Sequence, residues 1–376
     1  MNFDFAIVGA GIAGATLAAR LADGARVLLL EREEQPGYHS TGRSAAMFME
    51  SYGAPQARAL TRASRASYEA LGVLGARGAL YVAWRGQEQL LEQTLQSLRD
   101  TGAAVERLDA AATLQRVPAL RAEGLIGAIS EPEATDLDVH ALHQQALRSA
   151  RQHGCELWLR ADVQRAEALH DGAGRGWQVQ CADGRSARCT VLVNAAGAWA
   201  DTLAESAGLP GLGLQPCRRS ALSFEAPGHE HRHWPTVAAI DESWYFKPDA
   251  GQLLGSPANA DPVPPHDVQA EELDIATAIE RIEAHTTLRI RRPRRVWAGL
   301  RTFASDGELV IGFDPRSDLA RAGFFWLAAQ GGYGIQSAAG AAMLAESLLR
   351  GRPLPAALRG AAVQAQAMDP ARLLPR

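Results

Sequence analysis

Lysine is nearly missing from this chain: Lys247 is the one lysine among 38 Lys and Arg residues in a total of 376. The arginines are dispersed along the sequence, which fits genome composition better than an arginine-rich binding surface. The formal net charge is −4, so no global basic field calls for nucleic acid or an anionic membrane. The four cysteines, Cys155, Cys181, Cys189 and Cys217, form no CxxC pair and have no secretory context, so buried free thiols are expected. No run reaches the roughly 18 consecutive apolar residues of a membrane span. Nor does a basic segment precede a signal-like apolar run at the N-terminus, and a cytoplasmic location is expected. Gly (36) and Pro (19) together make about 15% of the chain, short of the 25–30% of low-complexity disorder. What remains is a globular composition, 47% hydrophobic and 21% charged, long enough for two domains or one elaborated fold.

The informative part begins at once. Phe3 to Val8 reads as a strand ending in a buried apolar run, followed by Gly9-Ala10-Gly11-Ile12-Ala13-Gly14 and a helix rich in Ala and Leu from Ala15 to Ala22. A second strand, Arg26 to Leu30, ends in Glu31. Each glycine has a steric reason: Gly9 permits the turn, Gly11 lets backbone approach a pyrophosphate, and Gly14 lets helix pack on strand. The helix N-terminus offers amides and partial positive charge to phosphate oxygens. Glu31 stands where a carboxylate accepts the ribose hydroxyls of an adenosine. This is a dinucleotide site. Its glycines alone do not separate NAD from FAD.

The following stretch does. Glu31-Arg32-Glu33-Glu34-Gln35-Pro36-Gly37-Tyr38-His39-Ser40-Thr41-Gly42-Arg43-Ser44-Ala45-Ala46-Met47 resembles the flavin-binding segment of the FAD-dependent D-amino-acid oxidase superfamily, and is similar in particular to its bacterial D-arginine dehydrogenase branch. The resemblance continues through Tyr52-Gly53, Leu192 to Trp199, Gly255 to Pro262, Trp297 to Arg301 and Ala329 to Gln336, five blocks in order. It implies an α/β fold: a Rossmann-like FAD-binding domain (1–76, 136–212 and 300–376) with an inserted, mainly antiparallel substrate sheet (77–135 and 213–299). Non-covalent FAD is the implied cofactor, and no metal is expected. Ser40, Thr41 and Ser44 supply donors without bulk, and Arg43 is expected to neutralise phosphate charge. With Gly9, Gly11, Ala13, Gly14, Glu31, Arg32, Gly42, Ala45, Ala46, Met47, Val163, Ala196 and Gly197 they form the expected cofactor set. Gly331, Gly332, Tyr333, Gly334, Ile335 and Gln336 complete it, opening a helix from Gly334 to Leu349 whose N-terminus would face the flavin.

Local patterns place the remaining elements. Helices are expected over Gln56–Leu71, Glu88–Arg99 and Glu271–His285, with Asp109 and Asp138 as caps of two more. Alternation marks Ala79–Trp84 as a strand, and Leu222–Phe224, Thr236–Ile240, Trp244–Lys247 and Gln252–Gly255 as short antiparallel strands. Asp171-Gly172 and Asp183-Gly184 are turn signals.

A flavin amino-acid dehydrogenase must fix the substrate carboxylate, orient Cα–H toward flavin N5 for hydride transfer and stabilise the reduced flavin. An arginine fork suits the carboxylate because it binds both oxygens. The resemblance places the family's carboxylate-binding arginine at Arg301. Arg218 and Arg219 point to opposite faces of an extended segment, so one of them enters the site, and Arg219 is preferred. Tyr52 and Tyr245 match the family's substrate-facing tyrosines, and the resemblance gives the Gly332 carbonyl the substrate amine. Lys247 is a candidate oxygen-activating lysine or, being next to Pro248, a strand end. The resemblance implies oxidation of a D-amino acid to the imino acid, hydrolysed to a 2-oxo acid and ammonia. A glycine- or sarcosine-type amine oxidase or dehydrogenase and a non-catalytic flavin module stay open. So do oxygen and a quinone as electron acceptor. D-arginine-specific relatives carry an acid on the strand aligned with Ala79 and a histidine at Met47. Here Met47, Phe48, Ala79, Tyr81 and Trp244 suggest an apolar wall, unless Glu50 turns inward.

Overall fold

The computed structural model describes residues 2–171, 174–316 and 323–374. Gly172 of one expected turn lies outside them. Among the described residues the strands form three sheets. The first is nucleated by the apolar strands Asn2–Val8 and Val27–Leu30, which pair in parallel, Phe5 against Val27. Ser186–Asn194 lies parallel on the other side of Asn2–Val8, and its second half also takes Phe324–Ala328 in parallel. An antiparallel meander, Val163–Asp171, Gly174–Cys181 and Ser186–Asn194, extends one edge, while Glu156–Trp158 closes the other. These strands are apolar on both faces because helices cover one side and the meander's cluster the other. Helices Ile12–Leu21, Pro55–Ala70, Val139–Gln152 and Ala338–Leu349 pack into the covering layer. Asp138 caps its helix by accepting from the Ala141 amide at 2.8 Å, as Asp109 does from Ala112 at 2.7 Å.

The second sheet runs Asp261–Pro262, Gln215–Phe224, Gln252–Ser256, Tyr245–Asp249, Thr236–Ala239, Ala79–Trp84, Leu125–Glu131, Glu106–Leu108. Most of it is antiparallel, but Thr236–Ala239 joins Ala79–Trp84 in parallel, a pairing across about 150 residues that no local pattern announces. Gln215–Phe224 is a ten-residue strand where only its last three residues were legible, since buried arginines interrupt the apolar pattern. It pairs along its length with Arg295–Phe303, Gln215 against Phe303 and Ser223 against Arg295. That strand runs through the expected domain boundary at 299/300. A small third sheet, Met47–Phe48, Thr135–Leu137, Leu74–Ala76, sits between the two.

The last helix starts at Ala338, not at Gly334. Residues 331–337 form consecutive turns instead, with Gly331 at φ +51° and its amide donating to the Thr302 carbonyl at 2.8 Å. All four cysteines are buried and free. Among the described residues no helix is long and apolar enough to cross a membrane.

Candidate active site

A cavity of about 470 Å³ runs from Glu31 and Arg32 at the end of the second strand to Arg219, Tyr245 and Arg301 on the second sheet. Its first half is the dinucleotide site. Gly9 sits at φ +103°, and a Cβ there would lie 2.4 Å from the Ala195 carbonyl oxygen. A Cβ on Gly14 would meet the Gly9 carbonyl oxygen at 1.9 Å, so helix and strand touch there and Gly14 packs behind the wall rather than lining it. Gly11 faces the cavity, bordered by Thr41. Ala13, Val163, Ala196 and Gly197 line it as well. Such a backbone cradle, bare of side chains where a pyrophosphate would lie, fits FAD.

Polar side chains in this half are more committed to the protein than their sequence suggests. Glu31 Oε2 accepts from the Ala10 amide and Oε1 from the Glu33 amide, both at 3.0 Å, leaving lone pairs for a ribose. Burial raises its pKa, against the pull of those amides. Thr41 Oγ1 accepts the Ile12 amide at 3.0 Å, so one N-terminal donor of the first helix is already spent. Ser40 donates to the Leu300 carbonyl at 2.7 Å, and Ser44 accepts from Ala46 at 3.0 Å. Arg43 was expected to face phosphate. Its guanidinium instead donates to the carbonyls of Val268 and Ala298 and to Asp267, so it anchors the loop. Gly42 is buttressed on Gly37, where a Cβ would meet the carbonyl oxygen at 2.7 Å. Arg32 lies over the Trp199 ring at 4.1 Å, an aromatic floor that isolated sequence blocks did not pair with it. His39 Nε2 is taken up by Glu33 at 2.9 Å, and burial lowers its pKa.

At the far end, strand alternation aims the chemistry. Cys217 stands opposite Arg301 and Arg219 opposite Gly299, so Arg219 and Arg301 project from one face of neighbouring strands. Arg218 takes the other face. There Asp274 accepts from it at 3.0 Å and Asp261 at 3.2 Å, with Glu271 as a third carboxylate. Arg219 and Arg301 have no carboxylate partner among the described residues. Arg219 Nε donates to the Asn259 carbonyl, an acceptor hidden inside the Gly255–Pro262 block. Burial lowers the Arg219 pKa, and the Arg301 charge lowers it further, while Tyr245 partly offsets both. Arg301 Nη1 donates to the Tyr52 hydroxyl at 3.4 Å. Gly332 lies against the same guanidinium: a Cβ there would stand 3.1 Å from Nη1. Gly331, Gly334 and Ile335 line this end too.

Other expected site residues fall outside the cavity. Gln336 is buried behind it, accepting from the Met49 amide at 3.3 Å and donating to the Tyr52 carbonyl at 3.1 Å; it holds Tyr52 in place. Tyr333 packs edge-on to Tyr52, ring centroids 5.2 Å apart, and burial pushes its pKa up to about 12. Trp244 is no part of a substrate wall. It is 1% exposed, stacked on Phe246 and His285 in the core of the second sheet. Phe48 is likewise buried, edge-on to Tyr68, and Glu50 turns away to Arg65. Met47, Ala79 and Tyr81 do gather with Tyr52, Met49 and Ala134 in one apolar cluster. Beside it stands an acid the sequence reading missed. Glu131 lies across the strand pair from Ala79 and accepts from Ser51 at 2.8 Å and Tyr81 at 3.2 Å. Nothing in a one-strand alignment would find it.

Comparison with known proteins agrees with this fold. The family model described as FAD dependent oxidoreductase (DAO) matches residues 4–348. Among solved structures, glycine oxidase from Geobacillus kaustophilus is similar at TM-score 0.78 and 23% identity, covering 94% of this chain and 95% of that one. L-proline dehydrogenase from P. horikoshii is similar at TM-score 0.81 and 18% identity, with 98% and 97% covered. For the FAD-bound L-alpha-glycerophosphate oxidase from Mycoplasma pneumoniae the values are 0.82, 18%, 93% and 95%. At these identities the likeness is one of fold.

Proposed function

The chain belongs to the DAO family of FAD-dependent oxidoreductases, and we propose that within it the protein oxidises a D-amino acid to the imino acid. One observation carries this reading: two arginines face one cavity with no carboxylate among the described residues to neutralise them. Two like charges held this way are unfavourable until an anion enters, and an α-carboxylate fits their paired donors. When bound, FAD supplies the two-electron acceptor that the side chains lack. The residues do the rest. Arg301 and Arg219 bind the carboxylate, with the Tyr52 and Tyr245 phenols beside them. The Gly332 carbonyl accepts from the substrate amine, which must be neutral to react. Held at both ends, the substrate has one orientation of its Cα–H bond. Two electrons and two protons leave the substrate as C–N becomes C=N, and water then hydrolyses the imine to the 2-oxo acid and ammonia.

D-handedness rests on the resemblance of the sequence blocks to those of D-amino-acid enzymes. The Met47, Ala79, Tyr81 cluster supports a preference for apolar or aromatic side chains, because its walls are mostly apolar. Comparing kcat/KM for D-leucine, D-methionine, D-phenylalanine and D-arginine at one pH tests this. A clear advantage for D-arginine would overturn the side-chain preference, and turnover of L-enantiomers alone would overturn the handedness.

A further inference from the structure

The single lysine of the chain is 2% exposed, and its ammonium is fully engaged. Lys247 Nζ donates to the Ala45 carbonyl at 2.9 Å, to the Ala46 carbonyl at 3.5 Å and to Asp136 Oδ1 at 2.7 Å. Three donors meet three acceptors, so no proton is left for the cavity. The role of an oxygen-activating lysine is thereby closed to it in this geometry.

Its neighbours show what it holds instead. Ala45 lines the cofactor cavity, and Ala46 sits at φ +59°, a left-handed conformation that a residue with a Cβ keeps only when its surroundings impose it. The front of this loop is fastened by Ser40 to the Leu300 carbonyl and by Arg43 to the carbonyls of Val268 and Ala298. Its far end is fastened by Lys247 and by the Leu137 amide, which donates to Ala46 at 2.9 Å. Asp136 is itself fixed, because Arg77 Nε donates to its other oxygen at 2.7 Å. Lys247 also stands two residues from Tyr245 on one strand, so both side chains leave the same face. One short strand thus carries a phenol into the substrate end and an ammonium onto the cofactor loop.

We propose that Lys247 is a positioning residue that holds the Ala45–Ala46 end of the loop in its FAD-binding shape, so that FAD affinity depends on it beyond any effect on folding. The test needs no substrate and is independent of the amino-acid reading. Apoprotein is titrated with FAD, following quenching of flavin fluorescence, and apoprotein unfolding is measured separately. Lys247→Met removes all three bonds, and the folded variant should bind FAD at least tenfold more weakly. Lys247→Arg keeps a charge for Asp136 but cannot place its planar donors where Nζ meets both carbonyls. It should fold, bind FAD at least threefold more weakly, and show an altered visible circular dichroism of the bound flavin. If Lys247→Met fails to fold, Lys247→Arg decides. Wild-type FAD affinity in the folded fraction of Lys247→Arg, or of a folded Lys247→Met, overturns the proposal.

Discussion

Arg218 and Arg219 are adjacent in the chain and opposite in electrostatic fate. Arg218 is paired with three carboxylates on one face of the sheet, while Arg219 stands beside Arg301 on the other face with no carboxylate partner among the described residues. Strand alternation alone separates them. The carboxylates that pair Arg218 thereby stand on one face of the strand, and Arg219 with Arg301 on the other.

Replacing Arg301 with alanine should leave FAD bound and the fold intact while catalytic efficiency collapses. Truncating one partner of a desolvated charge pair costs about 2–5 kcal/mol. Steady-state kinetics on the best substrate, with flavin content measured by absorbance, checks this. Unchanged kcat/KM would remove Arg301 from the carboxylate site.

Arg218→Ala and Arg219→Ala should fail differently. Arg218→Ala leaves Asp274, 12% exposed, without its cation, and we expect a stability loss of about 1–3 kcal/mol, discounted because Asp261 and Glu271 are half exposed. Arg219→Ala should unfold close to wild type and lose substrate binding. Urea unfolding beside kinetics separates the two.

Gly11→Ala and Gly14→Ala form a second contrast. A methyl at Gly11 meets the side-chain oxygen of Thr41 at 3.2 Å, so the apoprotein should fold while pyrophosphate approach is blocked. At Gly14 it meets backbone at 1.9 Å and must move the helix, costing about 1–3 kcal/mol or more. The ratio of flavin to protein absorbance, with apoprotein unfolding midpoints, distinguishes them.

Burial of Glu131 raises its pKa above the ordinary 4.5. The folded state therefore holds that proton more tightly than the unfolded state. Below pH 4.5 the group is neutral in both and costs nothing. As pH rises from there through the raised folded value, ionisation penalises the folded state. Glu131→Gln should accordingly be more stable than wild type at pH 7, with the difference vanishing near pH 4. Equal midpoints at both pH values would contradict it.

Local chemistry made much of this legible. Gly9, Gly11 and Gly14 announced the cradle because sterics alone demanded them, and Asp109 and Asp138 announced their helices by capping. Ala79–Trp84 was bounded from pattern alone. What stayed hidden is non-local. Arg43 looked free for phosphate until Asp267 and two carbonyls, more than 220 residues away, took its donors. Trp244 read as a wall residue, yet its stacking on His285 buries it. The helix expected from Gly334 begins only at Ala338, because residues 331–337 form consecutive turns that start at Gly331 with φ +51°.

The Arg219–Arg301 pair is proposed to receive the carboxylate of a D-amino acid. Anaerobic mixing of the flavin-loaded protein with D-leucine, L-leucine and 3-methylbutylamine, the same skeleton without the carboxylate, measures this most directly. Rapid bleaching of the flavin by D-leucine alone is the predicted result. Bleaching by the amine as fast as by D-leucine would contradict it.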